Sequence, residues 1–216
     1  MRNKIATCHM NNVMLELFSG TGSVGDVARE MGWEVVSLER DMPADLQMDV
    51  REWNYRSLPP NSFDLIWASP PCTEFSRAKT VGVRKLWEAD EVVKRVWEII
   101  EYFNPPMGYV VENPQTGLLK DRDFMHGKPY TDIDYCKYGM PYRKRTRLWN
   151  NLQGKWEGRP LCKRDCSYIK PGEKRHLQVA QRSPKTAEDR EWQSKHKQTE
   201  LYRVPAQLVR EILLSL

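Results

Sequence analysis

Apolar residues along the chain fall into short blocks separated by glycine, proline and charge. "VMLELF" (13–18) has the length and composition of a strand and runs into "SGTGSVG". "SVGDVAREMG" (23–32) then reads as a helix closed by Gly32. "EVVSLE" (34–39) predicts a second strand. "FDLIWAS" (63–69) predicts a third, nearly continuously apolar, as a buried parallel strand should be. In "EADEVVKRVWEIIEYFN" (88–104), Val92, Val96, Ile99, Ile100 and Phe103 share one side of an amphipathic helix. "MGYVVEN" (107–113) predicts a fourth strand, stopped by Pro114. "DIDYCKY" (132–138) and "RTRLWNN" (145–151) predict later strands, and residues 151–200 read as loop-rich. "VPAQLVREILLSL" (204–216) finishes as a helix with Pro205 near its first turn.

Strands alternating with helices imply an α/β fold with a doubly wound, mainly parallel sheet. In such sheets ligands sit beyond the carboxyl ends of the strands. Gly20, Gly22, Glu39, Cys72 and Glu112 all fall at predicted strand ends. The 216 residues suffice for one such domain, taken as 1–150, with a small appendage at 151–200 and a returning helix at 201–216. There is no long apolar run and no secretory pattern, so a soluble, intracellular chain with no membrane partner is expected. The five cysteines are odd in number and scattered, which argues for reduced thiols over a disulfide framework.

Charge divides the chain. Residues 1–112 hold 12 Lys+Arg against 17 Asp+Glu, a net of −5, and the remainder holds 22 against 12, a net of +10. Residues 143–175 are densest, with 11 basic and 3 acidic residues and with Trp149, Trp156 and Tyr168 interleaved. Such a half suits a polyanionic partner; a solvated basic face is the plainer alternative.

Several short motifs carry candidate chemistry. Gly20-x-Gly22-x-x-Gly25 has the spacing of a dinucleotide fingerprint, and Glu39 stands 19 residues past Gly20, where a ribose-binding acid belongs. The pattern fits a nicotinamide cofactor, S-adenosylmethionine, or any tight strand-to-helix turn. Glu16 precedes the turn, and an acid there can receive the charged amino group that S-adenosylmethionine carries. "SPPC" (69–72) puts Cys72 on a stiff loop after a strand, either as a nucleophile or as a buried inert thiol. "VVENP" (110–114) ends a strand in Glu112, either a turn residue or an acid for a base edge. Arg145 and Arg147 alternate along a predicted strand and so share a face, gripping a carbonyl oxygen or phosphate, or facing solvent. Cys162-x₃-Cys166 with His176 has the residue types of a zinc site, with Cys136 or His196 as the fourth ligand; ordinary reduced thiols are the alternative, and the metal stays unassigned.

Taken in order, "LELFSGTGSVG", "SLER", "QMDV", "SPPCTEFS", "VVENP", "YGMPYRKRTRLW" and "YRVPAQLVREI" resemble the DNA (cytosine-5) methyltransferase family. The resemblance spans almost everything except about 151–200, and the short length is similar to compact members carried by phages and large DNA viruses. It implies the Rossmann-like fold of S-adenosylmethionine-dependent methyltransferases. It also implies that Phe18, Gly20, Gly22 and Pro71 line the cofactor pocket, with Glu16 at the amino group, Glu39 on the ribose and Asp49 on the adenine. Cys72 would be the nucleophile, Glu112 the base-recognising acid, Arg147 the contact to the cytosine carbonyl and Arg145 a support for the loop or a phosphate. The implied partner is double-stranded DNA with the cytosine flipped out, bound by a monomer. The chain departs from the family pattern at Glu16, usually Asp; at Tyr142, usually Gln; and at "LYRVP", usually Gly-Asn-x-Val-Pro. A recognition segment of only about 50 residues implies short or relaxed sequence specificity.

Other readings share parts of this pattern. One keeps the chemistry but takes tRNA as substrate. Another is a non-catalytic nucleic-acid-binding relative, against which the set Cys72, Glu112 and Arg147 argues. A dehydrogenase accounts for the glycines and leaves "PPC" and "ENP" unexplained.

Overall fold

The computed structural model describes residues 12–179, 187, 190–191 and 198–216. Its strands are β1 (Val13–Leu17), β2 (Glu34–Glu39), β3 (Leu46–Gln47), β4 (Leu65–Ala68), β5 (Gly108–Pro114), β6 (Tyr130–Asp134) and β7 (Arg145–Asn150). Its helices are α1 (Gly25–Glu30), α2 (Leu86–Phe103), α3 (Gln198–Leu201) and α4 (Ala206–Leu214). The strands form one sheet in the order β3-β2-β1-β4-β5-β7-β6. β1 to β5 run parallel, and β7 and β6 close the far edge antiparallel. This is a Rossmann-like, mainly parallel α/β sheet. Its order reverses between β1 and β4, and a crevice opens at such a reversal beyond the carboxyl ends.

Alternation along the strands builds two cores. Met14, Leu65, Trp67 and Val110 face α1 and α4, meeting Val27, Ala28, Leu208, Val209 and Ile212. Leu15, Leu17, Ile66, Ala68 and Val111 face α2, meeting Val93, Val96, Ile99 and Phe103. All four residues of β4 are fully buried because both faces of the sheet are covered there. Glu16 lies on the α1 side of β1, between Leu15 and Leu17 on the α2 side, so a carboxylate is placed inside an apolar layer.

Three elements differ from their sequence pattern. α1 starts only at Gly25, because Gly20 and Gly22 take positive φ (51° and 71°) and spend the preceding residues on a tight turn. β5 runs through Pro114, which pairs with Thr146 as the last residue of the strand. β6 begins at Tyr130 and stops at Asp134, opposite Arg145, where β7 begins. One further rung follows, the Tyr135 N–H donating to Lys144 O at 3.1 Å, and Tyr135–Tyr138 then coil into a 3₁₀ turn that ends on Gly139 at φ 94°. The two-residue strand β3 is too short to leave an apolar pattern.

Residues 151–179, after β7, are built of turns and bends and pack on the β6 edge. Trp156 is buried, and a side chain at Gly158 would strike Thr131 and Ile133. The Arg159 N–H donates to Tyr138 Oη at 2.8 Å, and the Cys162 N–H donates to Asp134 at 2.9 Å. Among the described residues no helix is long and apolar enough to cross a membrane.

Candidate active site

A cleft of about 410 Å³ opens beyond the carboxyl ends of β1, β2, β4 and β5. Glu16, Phe18, Gly20, Glu39, Asp49, Pro71, Cys72 and Glu112 all line it, although they span almost a hundred residues of chain. Gly22, Arg145 and Arg147 are not among its lining residues.

One end of the cleft is a carboxylate cradle. The chain leaves β1 through Phe18 at φ 61°, a left-handed conformation that costs a non-glycine residue about 1–2 kcal/mol. The Phe18 and Ser19 N–H groups both donate to Leu38 O, at 2.7 and 3.2 Å, which pins this bend to β2. Glu16 is 2% exposed, and its Oε2 has no hydrogen-bond partner. Burial pushes its carboxyl up to about 7, against the weaker pull of the Gly25 and Val24 N–H groups and of Arg29. Any side chain at Gly25 would collide with that oxygen, so the glycine makes room for the acid. Glu39 accepts the Gly20 N–H at 3.0 Å on one oxygen and the Arg40 and Asp41 N–H groups on the other. Asp49 is gripped by Arg51 at 3.0 and 2.6 Å, which holds its carboxyl below the usual range. Leu38, Met48, Val50 and Val92 supply apolar wall. Val204 closes the cleft from the C-terminal side, with its N–H on Ser23 Oγ at 3.1 Å.

The other end holds Cys72. Its loop is anchored on both sides. The Ser69 N–H donates to Leu17 O at 3.1 Å, Asn113 Nδ2 donates to Pro70 O at 2.9 Å, and the Leu118 N–H donates to Phe75 O at 2.8 Å. Asn113 and Phe75 are fully buried, so the Pro-Pro-Cys ledge is tied directly to the strand that carries Glu112. Burial is the main influence on the Cys72 thiol and pushes it up; Lys144 pulls it down and Glu112 pushes it up. Glu112 Oε1 accepts the Tyr135 hydroxyl at 2.8 Å, and Lys144 Nζ lies 3.7 Å from the same oxygen. Lys144 also sits 4.8 Å above the Tyr135 ring. A thiol, a carboxyl group and an ammonium therefore converge at one rim. Such a set can attack carbon, hold a proton and balance developing negative charge.

Glu74 lies two residues after Cys72 and shapes the loop behind it. It pairs with Lys79 and accepts the Lys85 N–H at 2.7 Å, while Arg84 donates to the Ser76 and Lys79 carbonyls. The acid beside Cys72 is thus spent within its own loop.

Arg147, expected at the cytosine carbonyl, and Arg145, expected to support the loop or a phosphate, are both engaged by acids of β6. Arg145 is bidentate to Asp134 at 3.1 and 2.8 Å, and Arg147 is bidentate to Asp132 at 2.7 and 2.8 Å. Register explains this, because Asp134 and Asp132 lie directly across the ladder from Arg145 and Arg147. Lys144, one residue ahead of the strand, is the cation that enters the cleft. Sequence reasoning missed Lys144, Tyr135 and the Asn113 tie; only Asn113 carried a readable mark, as the neighbour of Glu112. Of the metal candidates, Cys136, Cys162, Cys166 and His176 come together and His196 lies outside the described residues.

No protein-family model matches the chain. Over 156 residues it is 38% identical to a probable DNA (cytosine-5)-methyltransferase of Frog virus 3 (isolate Goorha), a match covering 65% of this chain and 71% of the viral protein. Among solved structures, the S. pombe Dnmt2 methyltransferase aligns over 68% of this chain and 53% of its own length, at 16% identity and a TM-score of 0.47. The viral match is both close enough and long enough to fix the relationship: this chain belongs to the DNA (cytosine-5)-methyltransferase family.

Proposed function

We propose that the chain methylates C5 of a flipped cytosine in DNA, with Cys72 as covalent nucleophile and S-adenosylmethionine as donor. The observation that carries this reading is the convergence of Cys72, Glu112 and Lys144 in a cleft that Glu16, with one unpartnered carboxylate oxygen, also lines. The cleft suits the cofactor chemically. Glu16 Oε2 offers a partner to the amino group, Glu39 keeps acceptor capacity for ribose hydroxyls, and the apolar wall takes the adenine. Bound there, S-adenosylmethionine supplies the methyl group on its sulfonium.

The protein residues do the rest. Cys72 gives up its proton to solvent and its sulfur bonds to C6, so that the C5=C6 electrons make C5 nucleophilic. Negative charge moves onto the ring. Glu112, steadied by the Tyr135 hydroxyl, shares a proton with N3, and the Lys144 ammonium supplies the counter-charge. Once C5 carries the methyl group, loss of its proton to solvent restores the double bond and expels Cys72 as thiolate, which takes a proton back from solvent. In this reading Lys144, not Arg147, is the cation nearest the base, while Arg145 and Arg147 hold β6 on β7.

A base inside a duplex cannot reach this rim, so it is flipped out at a cost of a few kcal/mol. Exposed Val81, Val83 and Trp87 follow the nucleophile and supply apolar contact for an opened stack. Exposed Lys163, Arg164 and Lys174 on the basic segment supply phosphate contacts. That segment is short, so the site read is short or relaxed; a methylation map showing a strict six-base-pair site contradicts this. The direct test offers tritiated S-adenosylmethionine with duplex DNA or with tRNA, followed by nucleoside mass spectrometry. 5-Methylcytosine in DNA is expected. Transfer to tRNA alone moves the substrate to RNA, and no 5-methylcytosine in either overturns the reading.

A further inference from the structure

We propose that Cys136, Cys162, Cys166 and His176 bind one structural zinc ion that staples the basic segment to the sheet beside the active site. Their four ligand atoms all lie within 4.8 Å of one another, and none of the cysteines is in a disulfide. With Zn–S near 2.3 Å and Zn–N near 2.05 Å, a tetrahedral site separates sulfur from nitrogen by about 3.6 Å. The Cys162 Sγ to His176 Nε2 distance is 3.5 Å. The Cys136 thiol contacts both Cys162 and Cys166. Three thiolates and one imidazole select zinc over hard cations such as magnesium or calcium.

The backbone is already shaped for a metal. Arg164 takes φ 68°, and the N–H groups of Arg164 and Asp165 point at the Cys162 sulfur. These are outer-shell donors of the kind that steady a thiolate ligand. His176 is held by the Ile169–His176 bridge. The ligands come from three places: the 3₁₀ turn after β6, the Cys162–Cys166 loop and this bridge. A metal here closes long loops in a segment with little regular structure, where cross-links stabilise most.

Four protein ligands leave no open position, and none of the four lines the cleft, so the metal is structural. Its effect still reaches the chemistry through three consecutive residues. Asp134 accepts the Cys162 N–H and pairs with Arg145; Tyr135 donates to Glu112; Cys136 is the ligand. Fixing Cys136 therefore fixes the hydroxyl that steadies Glu112.

The test is metal analysis of the purified full chain, with no dependence on methyl transfer. One zinc per chain is expected. Cobalt exchange should give the intense visible bands and thiolate charge transfer of a tetrahedral sulfur-rich site. Cys162→Ser and His176→Ala should each lower the stoichiometry toward zero, and Cys72→Ala should keep it at one. A chain expressed with zinc that retains none, or an octahedral cobalt spectrum, overturns the proposal. So does full stoichiometry in both ligand variants. If those variants fail to fold, the wild-type metal content and cobalt spectrum decide.

Discussion

Glu16 gives the account a quantitative handle on cofactor binding. Its burial raises the carboxyl from 4.5 to about 7, with Arg29 nearby lowering and Asp26 raising it. That displacement corresponds to about 3 kcal/mol of preference for the neutral form. The sign follows directly. In the free protein this group stabilises the fold fully below about pH 4.5 and gives that contribution up as pH rises through about 7. A bound ammonium reverses the preference, because it interacts with the ionised carboxylate only. The free-protein share ready to receive it is about one tenth at pH 6 and about one half at pH 7, so affinity for S-adenosylmethionine should be about fivefold weaker at pH 6. The cofactor's own amino group stays charged across that window, since α-amino groups titrate near about 7.7–8.0. Isothermal titration calorimetry in two buffers of different ionisation enthalpy reads the coupled protons. Close to one should leave per cofactor bound at pH 6 and about half of one at pH 7. Glu16→Gln should bind more weakly, with no pH trend and no proton release. A flat wild-type affinity between pH 6 and 7, or undiminished proton release in the Gln variant, refutes the assignment of Glu16 to the amino group.

Three further outcomes follow from the same geometry. Lys144→Met should lower kcat about a hundredfold with cofactor affinity unchanged, because one preorganised cation is lost from the transition state; an unaltered kcat removes Lys144 from the chemistry. Arg145→Ala should cost about 3 kcal/mol in urea unfolding, because Asp134 is fully buried and, among the described residues, is left with the Cys162 N–H. An unchanged unfolding midpoint with a lost rate would instead put Arg145 at the substrate. Asn113→Ala should leave the Pro70 carbonyl without its donor, at about 1–3 kcal/mol. The Cys72 ledge then loosens, and kcat should fall while calorimetry shows cofactor affinity intact.

What the chain disclosed about itself follows physical lines. Residues at the carboxyl rim were legible because strand ends punctuate a sequence: glycines, a proline pair and lone acids interrupt apolar runs. Cys72, Glu112, Glu16 and Glu39 were found this way, and all line the cleft. Alternation showed that Arg145 and Arg147 share a face, but not what that face meets. Their partners come from β6, whose register with β7 is a tertiary fact. Lys144 precedes the strand and belongs to no period at all. Tyr135 looked like a strand residue, and only the end of the β6 ladder turns it toward Glu112. The cysteine cluster shows the same limit. Cys162 and Cys166 advertise themselves by spacing, whereas Cys136 joins them only because the basic segment folds back onto β6.

The covalent role of Cys72 is the central claim, and a trapped adduct tests it most directly. Fluorine at C5 cannot leave as a proton does, so duplex DNA carrying 5-fluorocytosine should hold the enzyme after methyl transfer. Intact-mass spectrometry with S-adenosylmethionine present should find a one-to-one protein–DNA conjugate, and peptide mapping should place the link on Cys72. Cys72→Ala should give no conjugate while still binding cofactor. A conjugate in that variant, or a wild-type enzyme that methylates cytosine yet never traps, contradicts the account.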